Sequence, residues 1–136
     1  MIGIQLIFLN ALYFAELPVW IDVPPKNTDA VVNDTVELEC VGRGNPSPTI
    51  TWQKNDQNIN FANNPRYFQK SSGSLQISRS QKSDSGKYTC IATNSIGSKR
   101  ANASLRVLSK FNRNMYFMIA TIVEKFCSNL SVLTIQ

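Results

Sequence analysis

Residues 84–90 read Asp-Ser-Gly-Lys-Tyr-Thr-Cys, and this stretch decides how the rest of the chain is read. Tyr88, Cys90 and Ala92 alternate with Lys87, Thr89 and Ile91. That is period two, the mark of a strand with one face buried. The turn residues Ser83-Asp84-Ser85-Gly86 precede it, and Ser95 and Gly97 follow it. Downstream, Ala101, Ala103, Leu105 and Val107 alternate with Asn102, Ser104 and Arg106. Upstream, Leu75 and Ile77 flank Gln76; Ile50, Trp52 and Lys54 alternate with Thr51 and Gln53; Val36, Leu38 and Cys40 alternate with Glu37 and Glu39. Residues 19–23 (VWIDV) run into Pro24-Pro25, which suits an edge strand because proline has no N–H for a ladder. Asn33-Asp34, Asn45-Pro46-Ser47-Pro48 and Ser72-Gly73 supply the turns. Short strands at this spacing predict an all-β sandwich or barrel.

The 136 residues suffice for one domain with tails. Apolar residues at 43% and charged residues at 17% suit a globular chain. The net charge of +5 is scattered and forms no dense basic arm of the kind that binds nucleic acid. Histidine is absent, which removes the commonest general base and the commonest zinc ligand. Three cysteines far apart cannot make a structural zinc site. Gly42-Arg43-Gly44-Asn45-Pro46 runs into proline, whereas a phosphate-cradling loop runs into a helix. These exclusions point to no catalysis, no metal, no cofactor, no nucleic acid and no small-molecule substrate.

The ends differ from the middle. Residues 1–15 (MIGIQLIFLNALYFA) are uncharged and apolar up to Glu16, which suits a secretory signal. No Lys or Arg leads them, and Tyr13 is bulky for a cleavage site, so a truncated start is the alternative. We place one domain at 16–109 and a tail at 110–136. Within the tail, residues 115–123 (MYFMIATIV) end at Glu124-Lys125. A membrane span there would hold both charges near mid-bilayer at roughly 2.5–3.5 kcal/mol each. A packed accessory segment, or read-through from an imperfect gene, is the expectation instead. Cys127 has no evident partner in the chain and is read as a free or intermolecular thiol.

The motif Cys40-x3-Gly44-x-Pro46-x-Pro48-x-Ile50-x-Trp52-x-Lys54, then Arg66, Gly73-Ser-Leu75-x-Ile77, and Asp84-x-Gly86-x-Tyr88-x-Cys90-x-Ala92-x-Asn94-x2-Gly97 resembles an immunoglobulin domain of the I-set. The resemblance covers about residues 18–108 and neither tail. It is similar to the repeats of roundabout, contactin, neural cell-adhesion molecules and receptor-type phosphatases. It implies a two-sheet antiparallel Greek-key sandwich. It implies a Cys40–Cys90 disulfide, closing a loop of about 50 residues worth roughly 4 kcal/mol in the chain-entropy picture. Two buried free thiols, as in some intracellular muscle members of the fold, are the alternative. Trp52, Leu75 and Tyr88 are the implied core, with the Tyr88 hydroxyl on backbone at the turn before its strand. Arg66 and Asp84 are the implied ion pair, and Gly86 and Gly97 are read as giving backbone room or positive φ.

A resemblance of this kind implies an extracellular, secreted or cell-surface module whose partners are proteins. The alternatives are an intracellular sarcomeric-type spacer and an ectodomain fragment of a receptor kinase or phosphatase. Asn33, Asn102 and Asn129 open glycosylation sequons, and proline excludes Asn45 and Asn64. Partner-binding candidates are the residues that alternate outward: Thr51, Gln53, Lys87, Thr89, Ile91 and Arg100, with Ile91 read as an exposed apolar anchor. Lys82, Lys87, Lys99 and Arg100 either gather as a weak heparan sulfate patch or form an ordinary solvated surface.

Overall fold

The computed structural model describes residues 16–110 and 113–131. The leader reading of residues 1–15 and the side chain of Asn129 lie outside the described part. Among the described residues ten strands precede one α-helix. They are β1 (Leu17–Val23), β2 (Thr28–Val31), β3 (Val36–Leu38), β4 (Val41–Asn45), β5 (Thr49–Lys54), β6 (Gln57–Asn58), β7 (Tyr67–Gln69), β8 (Leu75–Ile77), β9 (Gly86–Thr93) and β10 (Ser98–Leu108), followed by α1 (Arg113–Ser131).

The larger sheet has the order β2-β10-β9-β5-β6. Facing it are a three-stranded sheet, β3-β8-β7, and a two-stranded sheet, β1-β4. The second layer is therefore divided, where the two-sheet expectation had one sheet. Val36–Leu38 pair with β8, and after Glu39 and Cys40 the chain changes partner, so that Val41–Asn45 pair with β1. One ladder departs from the antiparallel expectation: β2 runs parallel to β10, Thr28 opposite Leu105 and Val31 opposite Leu108. Pro24 and Pro25 account for the switch. They cannot donate to a ladder, so the first strand ends there and the chain resumes on the other sheet.

The core fills the space between layers. Val36, Leu38, Leu75 and Ile77 from the smaller sheet meet Trp52, Tyr88, Leu105 and Val107 from the larger, around the buried Cys40–Cys90 disulfide. Trp52 is 1% exposed, and its indole Nε1–H donates to the Gly73 carbonyl at 2.8 Å, so its one polar atom is satisfied inside. Gly73 needs to be glycine. Its φ is 100°, and a Cβ would lie 2.8 Å from Ile50 and 2.9 Å from the Cys40 carbonyl. Gly86 also has positive φ, at 155°, but Gly97 does not, and a Cβ on Gly97 would meet nothing within 4 Å. The reading of Gly97 as a required glycine is thereby corrected.

The helix does not pack as the accessory-segment reading expected. Every described side chain on α1 is exposed, including Phe117 at 77% and Phe126 at 70%. The physical reason is that the sandwich core closes on itself: no described helix side chain belongs to the core cluster. Among the described residues no helix is long and apolar enough to cross a membrane. Cys127 is an exposed free thiol.

Candidate recognition face and the network beneath it

Two groups of polar residues dominate the sandwich, and they behave differently. The first lies at its base. The 3-10 turn Lys82–Asp84 places Asp84 at the entrance to β9, only 2% exposed. Four donors converge on its carboxylate. Arg66 Nη1 and Nη2 reach Oδ2 and Oδ1 at 2.6 and 3.0 Å, the Tyr67 hydroxyl reaches Oδ1 at 2.8 Å, and the Gln81 N–H reaches Oδ2 at 2.8 Å. The Tyr88 hydroxyl donates to the Asp84 backbone carbonyl at 2.7 Å and sits 3.2 Å from the Tyr67 hydroxyl. Sequence reasoning did not single out Tyr67, although its place one residue after Arg66 was a usable signal.

Electrostatics follow from this packing. Burial pushes the Asp84 carboxyl upward, but the hydrogen bonds from Arg66, Gln81 and Tyr67 outweigh it and hold the group below the usual carboxylate range. The hydrogen bond to Asp84 raises Arg66. Burial pushes the Tyr67 hydroxyl up to about 12 and raises Tyr88 as well. Burial lowers the Lys54 ammonium, which donates to the Ser83 carbonyl at 2.6 Å and lies 5.8 Å from the Tyr88 ring centre.

The second group is the outer face of the five-stranded sheet. Register brings the partner-binding candidates into cross-strand rows. Thr51, Ile91 and Arg100 form one row, and Gln53, Thr89 and Asn102 the next. Lys87 lies beyond them, opposite Ser104. Thr51, Lys87 and Arg100 are exposed, and Gln53 is half-buried with its Nε2 donating to Asn58 Oδ1 at 2.9 Å. The other two depart from expectation. Ile91 is 9% exposed and Thr89 is 3%. The reason is position: β9 is central, and each of its outward side chains is flanked by β5 on one side and β10 on the other. Ile91 is therefore no exposed anchor. Thr89 turns its hydroxyl to Asn102 Oδ1 at 2.8 Å, and Asn102 itself is exposed.

Arg100 and Lys87, two of the four basic candidates, stand apart on the sheet. Arg100 stands opposite Ile91 and Lys87 opposite Ser104, four residues further along β10, or about 13 Å at the rise of a strand. Lys87 is also paired with Asp56 at 3.1 Å. Asn33, the other described sequon asparagine, is exposed with φ of 76° in the turn after β2. Among the described residues no group of His, Cys, Asp and Glu is placed to hold a metal ion.

Comparison with known proteins bears on this geometry. The chain is 44% identical over 97 residues to the netrin receptor DCC of Rattus norvegicus, a match covering 68% of this chain and 7% of that protein. Hemicentin-1 of Mus musculus is 32% identical over 123 residues, covering 82% of this chain and 2% of that one. Among solved structures, tandem Ig repeats of Dlar superimpose with a TM-score of 0.67 at 35% identity, covering 72% of this chain and 52% of that chain. The chain thus spans a small fraction of the length of these curated relatives. Residues 19–107 match the family described as immunoglobulin I-set domain, and the chain belongs to that family.

Proposed function

We propose that this domain is an extracellular protein-recognition module, acting by reversible contact through the outer face of its five-stranded sheet. The observation that carries the reading is the disulfide between Cys40 and Cys90, each fully buried. Such bonds persist in oxidising compartments and are rare in the cytosol. Similarity to a netrin receptor and to Dlar repeats supports a cell-surface setting.

On this reading Thr51, Gln53, Lys87 and Arg100 make the contact, with Asn102 in the row of Gln53 between Arg100 and Lys87. Ile91 and Thr89 pack between these residues, largely covered by the neighbouring strands. A mixed polar surface of this kind makes a modest interface, and arrays of such domains gain avidity. A glycan on Asn33 would leave the face open, whereas one on Asn102 would cover part of it. The test is a screen of the secreted, glycosylated full chain against extracellular and cell-surface proteins, followed by Arg100→Glu against the partner found. Loss of binding with an unchanged melting temperature supports the face. Full binding by the variant moves the contact elsewhere. A protein recovered reduced and unglycosylated from cytosol would favour the intracellular spacer.

A further inference from the structure

We infer that the domain carries a second site, a cleft beside the β5-β6 hairpin that takes a neutral saccharide. The cleft has a volume of 510 Å³ and lies between the β5-β6 hairpin, the loop after it and the base network. Its lining is rich in side-chain amides: Gln57, Asn58, Asn60, Asn63 and Asn64. They come from one stretch, residues 53–64, in which Gln or Asn stands at seven of twelve positions, so the loop is built of amides and not merely edged by them.

The committed groups exclude charged ligands. Both carboxylate oxygens of Asp84 are already occupied by donors, so no cation finds a free ligand there. Arg66 is held by Asp84, and Lys54 donates to the Ser83 carbonyl, so the two cations of the cleft are already engaged and a sulfate or phosphate gains little. The amides are less engaged. The side chains of Gln57 and Asn63 make no hydrogen bond among the described residues. Asn58 and Asn60 each use Oδ1 inside the protein, accepting from Gln53 and from the Ala62 N–H, while their Nδ2 groups donate to no described partner.

Each free amide offers a donor and an acceptor in one plane, and each sugar hydroxyl is likewise both. A disaccharide's dense hydroxyls match this lining. A peptide side chain would want the apolar walls that most ligand pockets have, and Ile59 is the cleft's one aliphatic wall. Ile59, beside the largely buried Tyr67 ring, suits the C–H face of one sugar ring.

The experiment is an NMR titration of the full isotopically labelled chain with neutral disaccharides of mannose, galactose and N-acetylglucosamine. A parallel arm uses a desialylated glycoprotein and its enzymatically deglycosylated form, which distinguishes a partner's glycan from free sugar. The expected result is saturable shifts of side-chain amides in the 57–64 loop, with a Kd of about 1 mM. The double variant Gln57→Ala, Asn63→Ala should weaken this at least about tenfold at an unchanged melting temperature. No shift with any of the disaccharides, shifts only with heparin fragments or a peptide, or wild-type affinity in the double variant would each overturn the assignment. Its failure would leave the protein-recognition reading standing, because that reading rests on Thr51, Gln53, Lys87 and Arg100, none of which lines the cleft.

Discussion

The base network and the outer sheet face are both polar, yet one holds the fold and the other is free to meet a partner. At the base every atom is spoken for: Asp84 is 2% exposed and receives four hydrogen bonds. On the face, Thr51 and Arg100 are exposed, and their side chains make no hydrogen bond among the described residues. A buried polar group is costly unless satisfied, so commitment marks structure. Exposed groups without internal partners can be spent on another molecule. The contrast teaches that the family's polar motif residues are scaffold, and the recognition residues proposed above are ones that no motif names.

The sharpest break of this comparison is Asp84→Ala. It strands Arg66 and the Tyr67 hydroxyl, and we expect a loss of about 3–5 kcal/mol in urea denaturation. A loss under about 1 kcal/mol would mean that the network is no more than a surface pair. Next comes Ile91→Ala. If Ile91 packs between the neighbouring strands, truncation costs about 2 kcal/mol, near the low end for buried isoleucine. An unchanged melting temperature would return Ile91 to the exposed set.

The pH dependence probes the same network from both sides. Asp84 is held below its unfolded value of about 3.9, so its contribution is intact above that pH and is lost as pH falls further. Tyr67 is raised to about 12, against an unfolded value of about 10. Its contribution is intact below about pH 10 and is lost as pH rises through about 12. Tyr67→Phe should cost about 1.5–3 kcal/mol at neutral pH, the value of a hydrogen bond to a charged group, and should flatten the alkaline limb. An alkaline limb of wild-type steepness in that variant would place the linkage elsewhere. The smallest effect on stability belongs to the face. Arg100→Glu and Thr51→Arg should each change stability by no more than about 0.5 kcal/mol while altering partner binding at least about tenfold.

Much of the fold was legible because strand alternation and the spacing of Cys40, Trp52, Tyr88 and Cys90 are local or near-rigid features. What was not legible depended on neighbours. Period two told that Ile91 and Thr89 point outward, but only sheet order tells that β5 and β10 crowd them. Pro24-Pro25 marked an edge, yet nothing local announced that the chain would cross to run parallel with β10. The ion pair of Lys87 on β9 with Asp56 in the β5-β6 turn joins residues 31 apart, and no spacing rule reaches that far. Residues 115–123 read as apolar, and only the closed sandwich core shows that they find no berth on it.

The account stands most directly on the bond that joins the two layers. The decisive measurement is peptide mapping, under non-reducing conditions, of full-length protein recovered from the culture medium of secreting cells. The account predicts a crosslinked pair of peptides containing Cys40 and Cys90, with Cys127 outside that pair. Recovery of Cys40 and Cys90 as free thiols in exported material would contradict it.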